Sequence, residues 1–258
     1  MNVQELQAAL RDFPLGGFRF FESIGSTNDE ALAWASQDAS DLSIMIADEQ
    51  TNGRGRLGRK WFTPPQTALA FSLILRPTPD EIKYPARVTG LGALALTDAI
   101  LKLGLHPQIK WPNDVLINGK KTAGILVEST WTGEIVDAFV LGLGINVMRA
   151  SVPPADQVLF PATSMETELR QPIDRIEFLH DALSSLVAWR SKLGTDEFIR
   201  AWEAALAFRG EQIQLFEENE QTVKGELLGL QSDGSLQMRA NDKILTVQIG
   251  EIHLRSSM

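Results

Sequence analysis

Residues 108–147 hold strand patterns that very short turns connect, and this arrangement limits the folds open to the chain. Strands are expected at residues 108–111, 114–117, 123–130 and 135–147. Asn118-Gly119 is a strong signal for a tight hairpin, and Thr132-Gly133 supplies a second turn. Strands that follow one another so closely pair as hairpins, so we predict that this segment forms a continuous part of one sheet.

Helical and strand patterns alternate on both sides of that segment. Val3, Leu6 and Leu10 recur at helical spacing, and a long apolar helix at residues 86–103 is stopped by Gly104. Shorter strands are expected at residues 18–22, 42–47 and 69–76, and two amphipathic helices at residues 173–187 and 198–206. Residues 148–165 contain three prolines and are interpreted as a surface loop.

The character of the chain changes after Gly210. Strand patterns separated by turn residues follow at residues 212–216, 222–230, 235–239, 243–249 and 251–254. About 48 residues of this kind predict a small β-barrel that docks on a larger domain. We therefore predict an α/β domain in residues 1–209 and a small barrel in residues 210–258.

Composition argues against several classes of protein. The net charge is −9 and the isoelectric point is about 4.9, so nonspecific attraction to DNA or RNA phosphates is not expected. Neither a signal peptide nor an apolar run of roughly 20 residues is apparent, and we expect a cytoplasmic protein. The absence of Cys excludes disulfides and thiolate chemistry, and three scattered His residues do not suggest a zinc cluster.

Residues 53–61 read GRGRLGRKW, a cluster of cations in an otherwise acidic chain. Glycine loosens the backbone and neighbouring like charges repel, so neither a helix nor a strand is favoured. We interpret the segment as a mobile loop that an anion orders, with Trp61 as a flat face for a nucleobase. Taken alone, a loop of this composition is more often a solvated turn than a ligand clamp.

Residues 110–114, KWPND, form a second polar segment at the turn between two predicted strands. Pro112 biases Trp111 towards an extended backbone, and the turn brings a cation, an amide and a carboxylate to one sheet edge. Downstream, Lys121 follows on the paired strand, and the glycines of GLGIN at residues 142–146 would let a ligand approach the backbone. Together these groups suit a nucleotide phosphate.

Each motif also has a plainer interpretation. Trp111 suits the core, Ser26-Thr27-Asn28 suits a helix cap, and Thr27 with Glu30 has the spacing of a capping box. The functional interpretation is favoured by the joint occurrence of all the motifs, because the plainer ones would have to hold independently.

The order of these motifs resembles that of the biotin protein ligases over nearly the whole chain. The matching segments are STN (26–28), EQTNGRGRLGRKWF (49–62), IKWPNDV (109–115), KTAGILVE (121–128), GLGIN (142–146) and GEIHLRS (250–256). The resemblance implies an α/β catalytic domain with a mixed sheet, related to class II aminoacyl-tRNA synthetases and lipoate ligases, and a C-terminal SH3-like small β-barrel.

The resemblance further implies an ATP-dependent, two-step reaction assisted by Mg²⁺. Biotin and ATP would form biotinyl-5'-AMP, and a lysine of the biotin carboxyl carrier protein, an acetyl-CoA carboxylase subunit or similar, would then accept the biotinyl group. Lys110 would contact both the carboxylate and the α-phosphate, and Arg54 and Arg56 would clamp the adenylate.

The same resemblance implies the binding residues. Biotin would contact Ser26, Thr27, Asn28, Gln50, Arg54, Gly55, Arg56 and Lys110. ATP and the adenylate would contact Trp61, Asn113, Asp114, Lys121, Gly124, Asn146, Glu251 and Arg255. Asp114 is also the candidate metal ligand, and the pair Glu251 and Arg255 equally suits a salt bridge that holds the barrel.

Only 25 residues precede Ser26, whereas bifunctional members of the family carry a DNA-binding domain there, so we expect a monofunctional type that does not bind DNA. A lipoate-type or octanoyl-transferring enzyme is the nearest alternative. The octanoyl-transferring branch uses a cysteine, which is absent here, and lipoate ligases lack the GRGRxGRKW loop. A non-enzymatic biotin or nucleotide sensor is the alternative from another class. Whether the chain forms a homodimer is left open.

Overall fold

A computed structural model of the chain describes residues 1–37, 39–217, 222–248 and 252–256, with the backbone alone at residues 216, 217, 222 and 252–256. Its helices are α1 Val3–Ala9, α2 Thr27–Ala35, α3 Pro85–Lys102, α4 Met165–Leu169, α5 Arg175–Arg190 and α6 Asp196–Ala204. Its first seven strands are β1 Gly17–Phe21, β2 Ser43–Ala47, β3 Leu69–Leu75, β4 Pro107–Lys110, β5 Asp114–Ile117, β6 Lys120–Thr132 and β7 Ile135–Ile145. Five more follow, β8 Gln212–Glu217, β9 Thr222–Leu230, β10 Leu236–Ala240, β11 Lys243–Val247 and β12 Ile252–Ser256.

The first seven strands form one mixed sheet in the order β1-β2-β3-β7-β6-β5-β4. β1 and β2 run parallel, and the other neighbouring pairs are antiparallel. Asn118 and Gly119, with φ of 50° and 70°, join β5 to β6, and Gly133, with φ of 63°, joins β6 to β7. Both predicted hairpins are therefore confirmed, and the chain from β4 to β7 builds one side of the sheet.

Helices cover both faces of this sheet. α2 packs on β3 and β7, whereas α3 packs on β4 to β7 and is itself covered by α5. Side chains alternate between the faces along each strand, so Ile74 of β3 packs with the alanines of α2 while its neighbour Leu73 joins the larger cluster that includes α3. None of the helices in the described ranges combines the length and apolar character that crossing a membrane requires.

The last five strands form a second, antiparallel sheet in the order β11-β10-β9-β8-β12. The turn between β9 and β10 contacts the first part of the chain, because the buried Arg87 of α3 donates hydrogen bonds to the carbonyl of Ser232. In the same turn, the carbonyl of Gly234 accepts a 3.0 Å hydrogen bond from Trp111 Nε1. The five predicted strands are confirmed, and their closure into a barrel stays a prediction.

Two local expectations were wrong. The capping box at Thr27 does not form, because α2 begins at Thr27 itself and the Thr27 hydroxyl turns to the side chain of Gln50, from which it is 3.1 Å away. Residues 148–165 are more than a surface loop. They contain short helical turns at Arg149–Ser151 and Ala155–Gln157 before α4 begins, and part of the segment lines a large pocket.

Candidate active site

A pocket of about 630 Å³ lies between the basic loop of residues 53–61, the start of α2 and the strand ends of the first sheet. Most of the candidate residues line it. They are Ser26, Thr27, Asn28, Gln50, Arg54, Gly55, Arg56, Trp61, Lys110, Asn113, Asp114, Lys121, Gly124 and Asn146. Glu251 lies outside the described residues, and the side chain of Arg255 does too. Their predicted link to ATP therefore stays a prediction.

Glycines of β6 and β7 lie at the floor of the pocket, and protein side chains pack against them. The amide of Asn28 lies against Gly142, and the Trp61 indole lies against Gly144. A Cβ atom added at Gly124 would stand 3.1 Å from the Trp61 ring. The expectation that a ligand approaches these glycines directly therefore stays a prediction, since they line the pocket beside Asn28 and Trp61. The glycines make room for Asn28 and Trp61, which then face the cavity.

One end of the pocket holds a buried network of neutral polar groups. The backbone N–H of Thr27 donates to Gln50 Oε1 at 2.9 Å, and Gln50 Nε2 donates to the hydroxyl of Thr63 at 3.1 Å. Ser72 of β3 donates to Asn28 Oδ1 at 2.6 Å. Because these hydrogen bonds fix the orientation of each amide and hydroxyl, this end can bind a small ring that carries both donors and acceptors.

Another part of the pocket, the cationic end, gathers ammonium groups around one carboxylate. Asp114 Oδ1 lies 2.6 Å from Lys121 Nζ, and Asp114 Oδ2 lies 3.5 Å from Lys110 Nζ. Burial opposes ionisation of Asp114, yet the charges of Lys121 and Lys110 hold the pKa of Asp114 below its usual value. Burial, opposed by Asp114, lowers the pKa of Lys110. The ring of Phe160 covers Lys110, with its centroid 4.6 Å from Nζ.

Arg56 brings a further cation from the basic loop. Its Nη1 donates to Asn113 Oδ1 at 3.3 Å, and Asn113 Nδ2 donates to the carbonyl of Ile125 at 2.9 Å. Burial lowers the pKa of the Arg56 guanidinium, and Asp114 opposes that shift. The loop turns sharply after Arg56, because Leu57 and Gly58 have φ of 56° and 70°. Arg56 and Lys110 therefore face one cavity whose charge favours an anion.

Arg54 has partners other than those expected. Its two terminal nitrogens donate to the two carboxylate oxygens of Glu128 at 3.0 and 2.7 Å, and Nη2 also lies 2.6 Å from Asp29 Oδ1. Hydrogen bonds to Glu128 are the main reason that the pKa of Arg54 is raised. The guanidinium that the sequence assigned to the adenylate is thus bound by carboxylates of β6 and α2.

The residues do not fit a magnesium ion held by the protein alone. Both oxygens of Asp114, the candidate ligand, face lysine ammonium groups. No group of three or more His, Asp or Glu side chains that could hold a metal occurs in the part of the chain that the structure describes. Magnesium prefers several oxygen ligands, so Asp114 would have to lose its lysine partners to bind the ion.

Sequence reasoning missed three residues that shape the site. Ser72 is the lone hydroxyl in the apolar strand LAFSLIL, and a buried polar residue in such a strand is a usable signal. Glu128 directly follows the run GILV in the motif KTAGILVE, and the motif alone does not indicate a separate role for it. Phe160 carried no signal, because its contact with Lys110 depends on the path of the preceding loop.

Known proteins are similar to this chain in both sequence and fold. A family model described as the biotin/lipoate A/B protein ligase family matches residues 20–146. The bifunctional ligase/repressor BirA of Bacillus spizizenii is 31% identical over 98% of this chain and 79% of its own length. The biotin–[acetyl-CoA-carboxylase] ligase of Paracoccus denitrificans is 40% identical over 73% of this chain and 80% of its own length.

A solved structure, the biotin protein ligase from Aquifex aeolicus in complex with biotin and ATP, is 28% identical to this chain. It superimposes with a TM-score of 0.80 over 93% of this chain and 99% of that one. The similarity therefore extends across both sheets rather than over the first sheet alone.

Proposed function

Because this chain belongs to the biotin protein ligase family, we propose that its pocket forms biotinyl-5'-AMP and then transfers the biotinyl group to a lysine of a biotin carboxyl carrier protein. The chain is a biotin ligase, with biotin and ATP as its substrates. One observation carries the assignment of the site. A buried network of amides and hydroxyls and a cluster of cations line a single cavity.

The first step joins two anions, and the cations make this possible. An oxygen of the biotin carboxylate attacks the α-phosphorus of ATP, and the bond to pyrophosphate breaks. Lys110 stands at the end of β4 with Nζ facing the cavity, where it can lie between the carboxylate and the α-phosphate. The lysine forms no covalent bond and lowers the barrier by neutralising charge at a fixed position.

The neutral polar end is proposed to hold the ureido ring of biotin. That ring carries two N–H donors and one carbonyl acceptor, which the amides and hydroxyls of Ser26, Thr27, Asn28 and Gln50 can match. A dithiolane ring, as in lipoate, has no such groups and would gain no hydrogen bonds at this end of the pocket. This end of the pocket therefore favours biotin over lipoate.

The cationic end is proposed to hold the adenylate. Arg56, with Gly55 beside it, would cover the phosphate, while Lys121, Asn113 and Asp114 would surround the ribose and phosphate. Trp61, whose ring lies next to Gly124, and Asn146 would face the adenine. In the second step the amine of the carrier lysine attacks the carbonyl carbon of the mixed anhydride, and AMP leaves with its charge still neutralised.

Two further assignments complete the proposal. The carrier protein is the macromolecular partner, and the chemistry lies within residues 1–209. Residues 210–258 are proposed to form a separate small unit, which is supported by the change of sheet at β8.

The test is to incubate the protein with labelled biotin, ATP, Mg²⁺ and a carrier domain, with ATP omitted in the control. ATP-dependent label on the carrier lysine is the expected result. Transfer of labelled lipoate but not of biotin would support the lipoate-type alternative instead. Binding of biotin without any transfer would support the sensor.

A further inference from the structure

Glu128, on β6, lies behind the pocket and contacts two elements that line it. Its carboxylate accepts two hydrogen bonds from Arg54 of the basic loop, and it also accepts one from Asn28 Nδ2 at 2.9 Å. The Glu128 side chain is 27% exposed, and Glu128 is not among the residues that line the cavity. Its contacts are thus with protein groups and not with the space a ligand would fill.

Asn28 connects this carboxylate to the neutral polar end of the pocket. The Asn28 amide donates to Glu128 and to the carbonyl of Leu126, while its oxygen accepts from Ser72. With a donor and an acceptor both engaged, the amide has one orientation. Loss of the Glu128 carboxylate would remove one of these restraints and would at the same time leave the Arg54 guanidinium with Asp29 as its remaining carboxylate partner.

Charge reinforces the same contact. Arg54 Nη2 lies between two carboxylates, 2.7 Å from Glu128 Oε2 and 2.6 Å from Asp29 Oδ1. Hydrogen bonds of this charge-assisted, two-pronged kind are the stronger ones in proteins, and they fix direction as well as distance. The loop is thereby attached to β6 and to α2 at a residue only two positions before Arg56.

We propose that Glu128, assisted by Asp29, is a positioning residue that holds the basic loop closed over the pocket and orients Asn28 for biotin. This inference rests on the proposed function of the site. It divides the two loop arginines into different roles, with Arg56 facing the adenylate and Arg54 attaching the loop to the body of the enzyme. Closure by Glu128 would keep both biotin and the reactive anhydride inside the pocket.

The test compares Glu128→Gln with Glu134→Gln, which makes the same change of charge at an exposed position in the turn between β6 and β7. Three assays are used. Pyrophosphate release gives KM for biotin and kcat, labelling of lysines on a bystander protein reports escaped adenylate, and trypsin digestion gives the rate of cleavage within residues 54–60. For Glu128→Gln we expect KM and escape to rise about tenfold, kcat to change less than about twofold, and cleavage to accelerate. Glu134→Gln should match the parent in all three.

Arg54→Gln and the double variant of Arg54 and Glu128 test the contact itself. If Arg54 acts through Glu128, the double variant should be no worse than either single variant. Asp29→Asn, at the half-exposed end of the contact, should produce a smaller effect in the same direction and provides a test should Glu128→Gln fail to fold.

Two results would overturn the proposal. Glu128→Gln could behave like Glu134→Gln, or Arg54→Gln could lower kcat for pyrophosphate release far more than Glu128→Gln does, which would mean that Arg54 acts on the phosphate. A parent protein without biotin-dependent pyrophosphate release would instead refute the assigned function, and the trypsin comparison would still decide whether the contact holds the loop.

Discussion

We propose that Lys110 is the residue on which the first chemical step depends most. It is an ammonium group with only 13% of its side chain exposed, fixed beside Asp114 and under the ring of Phe160. A charge that is already in position requires no reorganisation when the two anionic substrates meet. The cost of this arrangement is desolvation, which is visible in the lowered pKa of Lys110.

Replacing Lys110 by Ala should slow the first step by well over tenfold, because one lost electrostatic contact of this kind costs a few kcal/mol. The rate of biotin-dependent pyrophosphate release measures this directly. Circular dichroism of the variant serves as the control for folding. A release rate close to that of the parent would exclude Lys110 from the role.

The lowered pKa of Lys110 also predicts a pH dependence. The ammonium form is the active one, so kcat/KM for pyrophosphate release should fall as the pH rises through the pKa of Lys110. The fall should begin below the pH expected for an ordinary lysine, whose pKa is about 10.4. Lys110→Arg keeps its charge in this range, so the fall should disappear, and an unchanged profile in that variant would assign it to another group.

Arg56→Gly should release the adenylate from the pocket before the carrier arrives. The substitution removes a guanidinium that faces the cavity from the loop and shortens the cover over the anhydride. Labelling of lysines on unrelated proteins should therefore increase while pyrophosphate release continues. Equal labelling by the parent and by this variant would rule out the clamp role of Arg56.

Among the elements, those with local causes were predictable and those with distant causes were not. Asn118-Gly119 and Thr132-Gly133 define their hairpins from neighbouring residues alone, so the strands from β4 to β7 followed directly. The partner of Arg54, by contrast, lies 74 residues away on β6. The sequence places a cation in the loop but does not indicate which protein carboxylate is nearest, and the contact of Arg54 with the adenylate stays a prediction.

The same distinction explains the start of α2. The Thr27 and Glu30 spacing favours a local cap, but Gln50, 23 residues away, takes the Thr27 hydroxyl instead. Tertiary hydrogen bonds that build the pocket therefore replaced the bond that local spacing favoured. The candidate residues themselves were found because their motifs are specific, whereas their partners Ser72 and Glu128 required the folded chain.

The basic loop also depends on a contact at its base. Buried Arg175 of α5 donates to Asp48 Oδ1 at 2.8 Å and to the carbonyl of Ala68 at 2.9 Å, so it joins the chain before the loop to the chain after it. The backbone N–H of Gln66 donates to the second oxygen of Asp48. α5 thereby fixes both ends of the segment that carries the cations.

Arg175→Met should lower the free energy of unfolding by about 3 kcal/mol, since it leaves the buried carboxylate of Asp48 without its partner. Urea denaturation measures the loss. Lys192→Met, which breaks an exposed ion pair with Glu197, is the control and should cost less than about 1 kcal/mol. A loss at Arg175 no larger than that of the control would show that the contact does not stabilise the base of the loop.

At the scale of the whole molecule, the turn between β9 and β10 of the second sheet contacts the KWPND turn, residues 110–114, directly. Trp111, within KWPND, donates its indole N–H to Gly234 of the turn between β9 and β10, and Trp111 directly follows Lys110. Arg87 adds a second attachment from α3 through Ser232. The plainer interpretation of Trp111 as a core residue was correct, since its side chain is 1% exposed.

Trp111→Phe should retain most of the packing and remove the hydrogen bond to Gly234. A buried carbonyl without its donor costs about 1–3 kcal/mol, so the free energy of unfolding should fall by that amount. Because Lys110 is the adjacent residue, pyrophosphate release should also slow. Denaturation and release kinetics measured on the same preparation would test both effects, and a change in neither would mean that the second sheet does not support the turn.

The indole N–H of Trp111 can serve as a spectroscopic probe of the contact between the first domain and the second sheet. Its N–H points into a carbonyl of the second sheet, whereas the indole of Trp131 lies on an exposed hairpin. Magnetic resonance of nitrogen-15-enriched tryptophan should give these two protons well-separated frequencies. A shift of the Trp111 signal upon addition of the carrier would show, at a single atom, that carrier binding alters the contact between Trp111 and Gly234.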